Sequence, residues 1–224
     1  MMQKPALLLF DVNETLLNLD TMKVEINRVF NHEFAFNQWF LMLLHYSLVE
    51  NSKGTYHPFG EIGVATLRMA AEVLGCKVQE PEFKRLVRLI LERPPHADVP
   101  DSLRKLREAG YRLAALTNSA EEALMQQMEF AGLTHYFEAL ISVDEFKKYK
   151  PDPITYLGAA ARLQLPVSDI MMVAAHGWDV AGASEAGMKT AFLERPGQAL
   201  YPLGQTPDWV EPNLGILTRK LLEL

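Results

Sequence analysis

Apolar residues open the chain with a short run, from Leu7 to Phe10, that stops at the carboxylate of Asp11. A brief apolar run followed by a polar turn is typical of a buried strand. Open α/β sheets bind ligands beyond the carboxyl ends of their strands, so the pattern predicts that Asp11 lies at such an edge. An aspartate at this place also serves as a turn former or a helix N-cap, and this stretch alone leaves a catalytic role open.

The next stretch, from Asp20 to about Pro95, carries apolar and often bulky residues at helical spacing. A polar break at 51–54 divides it, and the pattern after that break predicts helices over about 59–74 and 81–92. We therefore expect a small α-helical block inserted after the first strand.

Beyond Pro94 and Pro95 the pattern alternates between helices and strands. The predicted helices cover 102–109, 121–131, 154–163 and 179–186. The predicted strands cover 112–116, 139–142, 170–174 and 190–193. A loop-like tail at 197–209 and a last helix at 214–222 follow. Such alternation implies an α/β fold, with a parallel sheet and helices on both of its faces.

Length and charge limit the classes of function. A chain of 224 residues suits one sizeable core that carries a smaller inserted domain. The 22 basic and 28 acidic residues, a net charge of -6, form no long run of one sign, so we expect no nucleic-acid partner. We also expect no membrane span and no secretion signal, because long apolar segments are missing. The single cysteine, Cys76, excludes an intrachain disulfide and suits a cytoplasmic protein.

Polar clusters follow several of the predicted strands. Asp11 ends the first strand, Thr117 and Asn118 end the second, and the segment from His176 to Asp179 follows the fourth. Lys150 lies in the loop after the third strand. Because parallel strands end at one edge of a sheet, we expect these side chains to converge there.

Four ordered segments resemble the motifs of the haloacid dehalogenase superfamily. They are Phe10-Asp11-Val12 with Thr15-Leu16, Leu116-Thr117-Asn118-Ser119, Tyr149-Lys150-Pro151, and Trp178-Asp179 with Gly182-Ala183. The segments 99–103 and 204–209 are similar to the (S)-2-haloacid dehalogenases, known as type II. The resemblance implies a Rossmann-like parallel-sheet core, residues 1–19 and 96–224, and an α-helical cap domain, residues 20–95.

The resemblance also implies a reaction without a cofactor. Asp11 would attack C2 of a short 2-haloacid, displace halide and leave an ester that water hydrolyses to the 2-hydroxy acid. A carboxylate held beside a cation and away from bulk water is a competent nucleophile, and Lys150 would supply that cation. Thr117 and Asn118, with N–H groups of the following helix, would hold the substrate carboxylate, although both also suit a helix cap. Thr15 would belong to the same catalytic group.

Two positions argue against phosphatase chemistry, which the wider superfamily also performs. Asn13 stands where those phosphatases place a second aspartate as general acid, and an amide cannot protonate a leaving alcohol. Asp179 is the only acid that fits the fourth motif, which is a poor basis for an octahedral Mg²⁺ site. We therefore expect no metal, with Asp179 orienting Lys150 or a loop amide, or else capping a helix.

The substrate pocket departs from the type II pattern. In that family an arginine that contacts the departing halide follows the cap tryptophan, whereas here Phe40 follows Trp39. Gln38 or His45 could approach from the cap instead. The remaining residues expected to contact the substrate are Asn13, Phe40, Phe59, Asn118, Tyr156 and Trp178.

Water activation is expected to differ as well. The serine and asparagine that the family places ahead of the fourth-motif tryptophan are Ala174 and His176 here. A histidine beside a carboxylate can take a proton from water near neutral pH. We therefore predict a catalytic pair of Glu14 and His176, the alternative being a loop histidine and a helix-start acid.

Other functions remain open at this point. The same Asp11 ester could serve another leaving group, the protein could be a Mg²⁺-dependent phosphatase, or it could be a binding homologue without turnover. A homodimer is plausible, because the cap helices are rich in apolar residues and members of the resembling family often dimerise.

Overall fold

A parallel sheet of six strands, in the order β3-β2-β1-β4-β5-β6, forms the centre of the computed structural model, which describes residues 4–224. The strands are β1 (Leu7–Phe10), β2 (Arg112–Thr117), β3 (Ala139–Ser142), β4 (Ile170–Ala174), β5 (Lys189–Leu193) and β6 (Trp209–Glu211). All neighbouring strands pair in parallel.

Helices lie between the strands and in one long insertion. Those of the insertion are α1 (Asp20–Phe30), α2 (Ala35–Lys53), α3 (Phe59–Val73) and α4 (Glu80–Leu89). Those of the core are α5 (Val99–Glu108), α6 (Glu121–Phe130), α7 (Pro153–Arg162), α8 (Gly177–Glu185) and α9 (Leu214–Leu221). The expected fold class, a Rossmann-like parallel-sheet core with an inserted helical cap, is confirmed.

The central strand β1 is buried on both of its faces. Leu7 and Leu9 belong to an apolar cluster that includes α7 and α8, whereas Leu8 and Phe10 belong to a second cluster with α5, α6 and α9. All four side chains are fully buried. This explains the continuous apolar run in the sequence, because a strand covered on both sides does not alternate with polar residues.

The two connections between core and insertion run side by side next to the turn that follows β1. Asn18 N–H donates to the carbonyl of Pro94 at 2.8 Å, and His96 N–H donates to the carbonyl of Leu16 at 2.9 Å. These hydrogen bonds hold the helical insertion over the carboxyl edge of the sheet. Of the core range expected from sequence, 1–19 and 96–224, positions 1–3 lie outside the described residues.

Two details differ from the sequence pattern. The helical stretch before 51–54 is divided in two at Asn31, which takes a left-handed conformation with φ of 49°, a conformation that asparagine tolerates well. The prediction of a loop over residues 197–209 is wrong at its last residue, because Trp209 begins β6. That strand has three residues, too few to show a pattern, and it forms by pairing with residues 191–193 of β5, Trp209 lying opposite Ala191.

Within residues 4–224, the helices are all too short or too polar to cross a lipid bilayer.

Candidate active site

Asp11 follows β1 directly, and contacts hold both of its carboxylate oxygens. Its side chain is almost fully buried, and its N–H donates to the carbonyl of Val173 at 3.0 Å. Oδ1 accepts from Lys150 Nζ at 2.8 Å, while Oδ2 accepts from Thr15 Oγ1 at 2.6 Å and lies 3.1 Å from His176 Nδ1. Burial by itself would raise the pKa of Asp11, but the Lys150 charge and the His176 hydrogen bond hold it well below its usual range. Asp11 is therefore an oriented anion at neutral pH.

Lys150 is the buried cation beside this carboxylate. Its Nζ donates to Asp11 Oδ1 at 2.8 Å, to Asp179 Oδ2 at 2.6 Å and to the carbonyl of Leu116 at 3.0 Å, and the side chain has no solvent exposure. Burial would lower the pKa of Lys150, yet the charges of Asp11 and Asp179 raise it above its usual value. Lys150 therefore is a buried cation, although its place in a loop is typical of a solvated lysine.

Asp179 and Tyr156 lie behind the lysine. Asp179 is in the first turn of α8, where its Oδ1 accepts from the hydroxyl of Tyr156 at 2.6 Å. The N-cap of α8 is His176, so Asp179 orients Lys150 rather than capping the helix. Tyr156 was expected to contact substrate, but its hydroxyl donates to Asp179 and its side chain is fully buried. The structure gives Tyr156 a supporting position instead.

His176 lies between two carboxylates. Its Nδ1 faces Asp11 at 3.1 Å and its Nε2 faces Glu14 Oε2 at 2.8 Å. Burial would lower the pKa of His176, but hydrogen bonds to Asp11 and Glu14, with their charges, raise it to about 10. Glu14 reaches the ring from a left-handed turn with φ of 61°, an unusual conformation for a residue with a side chain. The predicted pair of Glu14 and His176 is thus within hydrogen-bond distance.

Asn13 is fixed by two neighbours that the sequence pattern did not single out. Its Oδ1 accepts from Arg93 Nη1 at 2.5 Å, and its Nδ2 donates to Ser119 Oγ at 3.0 Å. Arg93 is buried although it precedes two prolines in a linker, and its Nε has no hydrogen-bond partner among residues 4–224. Burial lowers the pKa of Arg93 to about 10, and the charge of Glu14 opposes that shift. No local signal marks a loop arginine as buried, because its burial depends on the fold around it.

A small cavity of about 20 Å³ lies beside Asp11, and we call it the inner cavity. Its lining consists of Asp11, Asn13, Phe40, Leu44, Phe59, Thr117, Asn118, Lys150, His176 and Trp178. Nine of these ten residues were candidates from sequence, and Leu44 was not. The candidates Thr15 and Asp179 lie behind the lining, where they contact Asp11 and Lys150 respectively, and Tyr156 lies behind Asp179.

Thr117 and Asn118 border the inner cavity without capping α6. Thr117 Oγ1 accepts from Ser119 N–H at 3.2 Å, and Asn118 Oδ1 accepts from the N–H of Lys150 at 2.9 Å. Asn118 Nδ2 has no hydrogen-bond partner among the described residues and is a donor available to a ligand. The first N–H of α6, at Glu121, was expected to help hold the substrate, but it donates to Asp144.

The cap closes the site with aromatic side chains. Phe40, at the position where resemblance predicted an arginine, stacks on Phe36 with ring centroids 5.6 Å apart and lies 6.4 Å from the ring of His176. Trp178 stacks on His176 from the core side at 5.1 Å. These contacts place the Asp11 carboxylate next to an apolar wall.

Helical spacing on α2 decides which cap residues reach the site. Phe36, Phe40 and Leu44 are spaced four residues apart. Phe40 and Leu44 line the inner cavity, and all three line a larger cavity next to it. Gln38 and His45, which could have replaced the missing arginine, are not among the described residues that line either cavity. The expectation that they approach the site is therefore wrong.

A larger cavity of about 360 Å³, the outer cavity, adjoins the inner one. The two share Phe40, Leu44, His176 and Trp178 as a common wall. Glu14 borders the outer cavity, so the Glu14–His176 pair separates the inner cavity from the outer one.

The residues present do not fit a divalent metal ion. Lys150 Nζ already occupies the place between Asp11 and Asp179, and the remaining oxygen of Asp11 contacts Thr15 and His176. Within residues 4–224, no three acidic, histidine or cysteine side chains are grouped to hold a metal.

Comparison with known proteins points to one family. The sequence profile of a family described as haloacid dehalogenase-like hydrolase matches residues 5–187. The chain is 33% identical to an (S)-2-haloacid dehalogenase of Pseudomonas sp. (strain YL), over 79% of this chain and 76% of that protein. It is 32% identical to haloacetate dehalogenase H-2 of Moraxella sp. (strain B), over 78% of each chain.

Solved structures of L-2-haloacid dehalogenase have a similar fold. The L-2-haloacid dehalogenase from Xanthobacter autotrophicus has 26% identity and a TM-score of 0.86, covering 96% of this chain and 97% of that chain. A second structure of that enzyme, with chloropropionic acid covalently bound, has a TM-score of 0.88 at 24% identity, with the same coverage.

Replacing the buried lysine tests the ionic centre of the site. Lys150→Met leaves the carboxylates of Asp11 and Asp179 facing each other without their cation. We expect the free energy of unfolding near pH 7 to fall by about 3–5 kcal/mol, measured by urea denaturation. Lys148→Met is the matched control, because that Nζ makes one long contact, 3.4 Å to a backbone carbonyl, and a change of about 0.5 kcal/mol or less is expected.

The loss in Lys150→Met should depend on pH. Without the cation the folded-state pKa of Asp11 rises above the unfolded value of about 3.9, and that of Asp179, which burial already raises in the wild type, rises further. The variant therefore gains stability as pH falls and protons bind. In the wild type, the lowered folded-state pKa of Asp11 stabilises the folded protein at pH values above the unfolded-state pKa of about 3.9. This stabilisation is lost as the pH falls. The difference between the two proteins should therefore shrink from pH 7 towards pH 4. An equal difference at both pH values would contradict the assignment.

Proposed function

The chain belongs to the haloacid dehalogenase-like hydrolases, and from this premise we propose that it hydrolyses short (S)-2-haloacids to 2-hydroxy acids without a metal. The observation that carries the proposal is the carboxylate of Asp11, held anionic by Lys150 at the wall of a small, largely apolar cavity. Such a carboxylate is positioned for displacement at carbon. The two relatives described above, a haloacid and a haloacetate dehalogenase, support the same reading.

In the first half-reaction, an oxygen of Asp11 attacks C2 of the haloacid from the side opposite the halogen. The new C–O bond forms an ester while the C–X bond breaks and its electron pair leaves with the halide. Lys150 and Thr15 hold the carboxylate in place, which removes the entropic cost of orienting it in the transition state. The attack inverts the configuration at C2.

The substrate binds among the residues that line the inner cavity, which has room for about one water molecule and widens when the substrate enters. Asn118 Nδ2 is a free donor there and suits the substrate carboxylate, with Thr117 beside it. Phe40, Phe59 and Trp178 provide the apolar wall for the carbon chain and the halogen. Closure by these side chains excludes bulk water, which strengthens the attraction between fixed charges and substrate.

In the second half-reaction, water attacks the carbonyl carbon of the Asp11 ester. His176 takes a proton from that water, and Glu14, 2.8 Å from Nε2, orients the ring and stabilises its charge. The C2–O bond stays intact in this step, so the alcohol keeps the inverted configuration. The product is the 2-hydroxy acid, and Asp11 returns as carboxylate.

Phosphatase activity has weaker support. Asn13, which stands in place of a general acid, has its amide fixed by Arg93 and Ser119. Lys150 occupies the place between the two acids that a dication would need.

We further propose that the protein is cytoplasmic, forms a homodimer and has no nucleic-acid partner. The single, free cysteine is compatible with a reducing compartment. Leu41 and Leu48 on the cap helix α2 are exposed apolar residues that a second copy could cover. The net charge of -6 disfavours binding to a polyanion. Sedimentation of a monomer at micromolar concentration would contradict the dimer.

Halide release tests the proposed reaction. We expect the wild-type protein to release chloride from (S)-2-chloropropionate, or bromide from bromoacetate, in the presence of a metal chelator. Asp11→Asn, which keeps the shape of the side chain but removes the nucleophile, is expected to be inactive. Phosphate release from small phosphate esters that requires added Mg²⁺, with no halide release, would support the phosphatase alternative instead.

Removing the proposed base should separate the two half-reactions. In His176→Gln we expect a burst of one halide per active site, a lasting mass increase on the peptide that contains Asp11, and steady-state turnover lowered about 10²–10⁴-fold. The matched control is His135→Gln, an exposed histidine, with unchanged turnover. Equal loss of the halide burst and of turnover would show that His176 is not specific to hydrolysis.

A further inference from the structure

The ring of His176 cannot accept a proton in the resting site. Both nitrogens face carboxylate oxygens, Nδ1 that of Asp11 at 3.1 Å and Nε2 that of Glu14 at 2.8 Å. An ionised carboxylate only accepts hydrogen bonds, so both nitrogens must carry hydrogen for these contacts to be hydrogen bonds. The resting ring is therefore an imidazolium, which has no lone pair to take a proton from water. A base is needed only after the ester has formed.

The charges around the ring balance only while it is protonated. Next to Asp11 lie Lys150 and Asp179, and the buried Arg93, which donates to Asn13, interacts with the charge of Glu14. With the imidazolium counted, these residues make three cations and three carboxylates. The cations are Lys150, Arg93 and His176, and the carboxylates are Asp11, Glu14 and Asp179.

Other titratable groups near the ring border the outer cavity. His96 Nε2 contacts the backbone carbonyl of Glu14 at 3.0 Å. Asp20 and Lys23 of α1, with Arg195 after β5, complete the charged lining of that cavity. The side of α2 that faces the ring presents Phe40 and Leu44, which carry no charge.

We infer that formation of the Asp11 ester drives the proton of His176 out to solvent, and that this step converts the ring from a resting cation into the base for hydrolysis. The inference rests on the proposed function. Esterification makes Asp11 neutral and leaves one cation in excess. Among the three cations, histidine has by far the lowest intrinsic affinity for its proton, so His176 is the group that discharges.

The protons and electron pairs balance over the cycle. In the first half-reaction the halide leaves with the C–X electron pair, and the proton of His176 leaves past Glu14 into the outer cavity. In the second, the oxygen of water bonds to the Asp11 carbonyl carbon, and the bond from that carbon to the ester oxygen breaks. One hydrogen of the water ends on the alcohol product and the other on His176, which restores the imidazolium and the Asp11 carboxylate. One halide and one proton are released per turnover.

The electrostatics of the site support this sequence. Burial alone would lower the pKa of His176, and hydrogen bonds and charges from Asp11 and Glu14 together raise it to about 10. The ester removes the Asp11 charge and leaves burial opposed by Glu14 alone. Glu14 keeps an 18% exposed side chain at the outer cavity, which gives the proton a route to solvent.

The substitution Asp11→Asn introduces a neutral side chain of the same shape. It therefore imitates the loss of negative charge on ester formation without any turnover. We propose to label the histidines with ¹⁵N, to assign His176 by its absence in His176→Gln, and to follow the ring by NMR across pH. The wild-type ring is expected to remain imidazolium through pH 8. In Asp11→Asn the midpoint of the His176 titration should fall by about 1–3 pH units, which means that the ring binds its proton about 10- to 1000-fold more weakly. Asp11→Ser should shift it in the same direction and serves if Asp11→Asn does not fold.

Asp179→Asn is the matched control for charge. It removes another buried carboxylate of the same group, but one without a contact to His176, so a smaller shift is expected. A neutral His176 ring in the wild type at pH 7, or equal midpoints in wild type and Asp11→Asn, would overturn the inference and leave the proposed function intact. Failure of halide release would instead overturn the proposed function, and the NMR titration would be unaffected.

Discussion

The three hydrogen bonds of Lys150 Nζ are the interaction on which the rest of the site depends. They join the carboxylate of Asp11 after β1, the carbonyl of Leu116 in β2 and the carboxylate of Asp179 in α8. A fully buried ammonium is tolerated only when oxygens satisfy it closely, so the ends of neighbouring strands are held in one geometry. The same contacts keep Asp11 ionised in a place that water scarcely reaches. A requirement of folding and a requirement of the proposed chemistry are thus met by one side chain.

The helical insertion supplies the other condition, which is a small and dry place for substrate. Phe40 and Leu44 of α2 form the common wall of the two cavities together with His176 and Trp178. Without the insertion Asp11 would face solvent, and its interaction with Lys150 would be much weaker. Phe40 stands where the resembling family places an arginine and brings no charge to this wall, whereas the ring of His176 lies within 3.1 Å of the Asp11 carboxylate.

Much of this could be predicted from the sequence because the signals are local. The apolar runs of β1 and β4 are continuous since both faces of the strands are buried, and the polar residues that end them are the candidates that meet at the site. The pairing of His176 with Glu14 followed from their positions after those two strands. The burial of Arg93, the partner of Tyr156 and the strand at Trp209 could not be predicted, because each depends on contacts between segments distant in sequence. The break at Asn31 was missed because a single asparagine inside a long apolar pattern does not by itself mark a helix end, although asparagine tolerates the left-handed conformation found there.

The proposed reaction requires a covalent ester of Asp11 that water attacks at the carboxyl carbon. This ester can be detected by a single turnover of (S)-2-chloropropionate in ¹⁸O-water, with enzyme in excess, followed by peptide mass analysis. We expect ¹⁸O in the carboxylate of Asp11 and none in the hydroxyl group of the product. Label in that hydroxyl group with an unlabelled Asp11 would mean direct attack by water on the haloacid, and would contradict the proposed reaction.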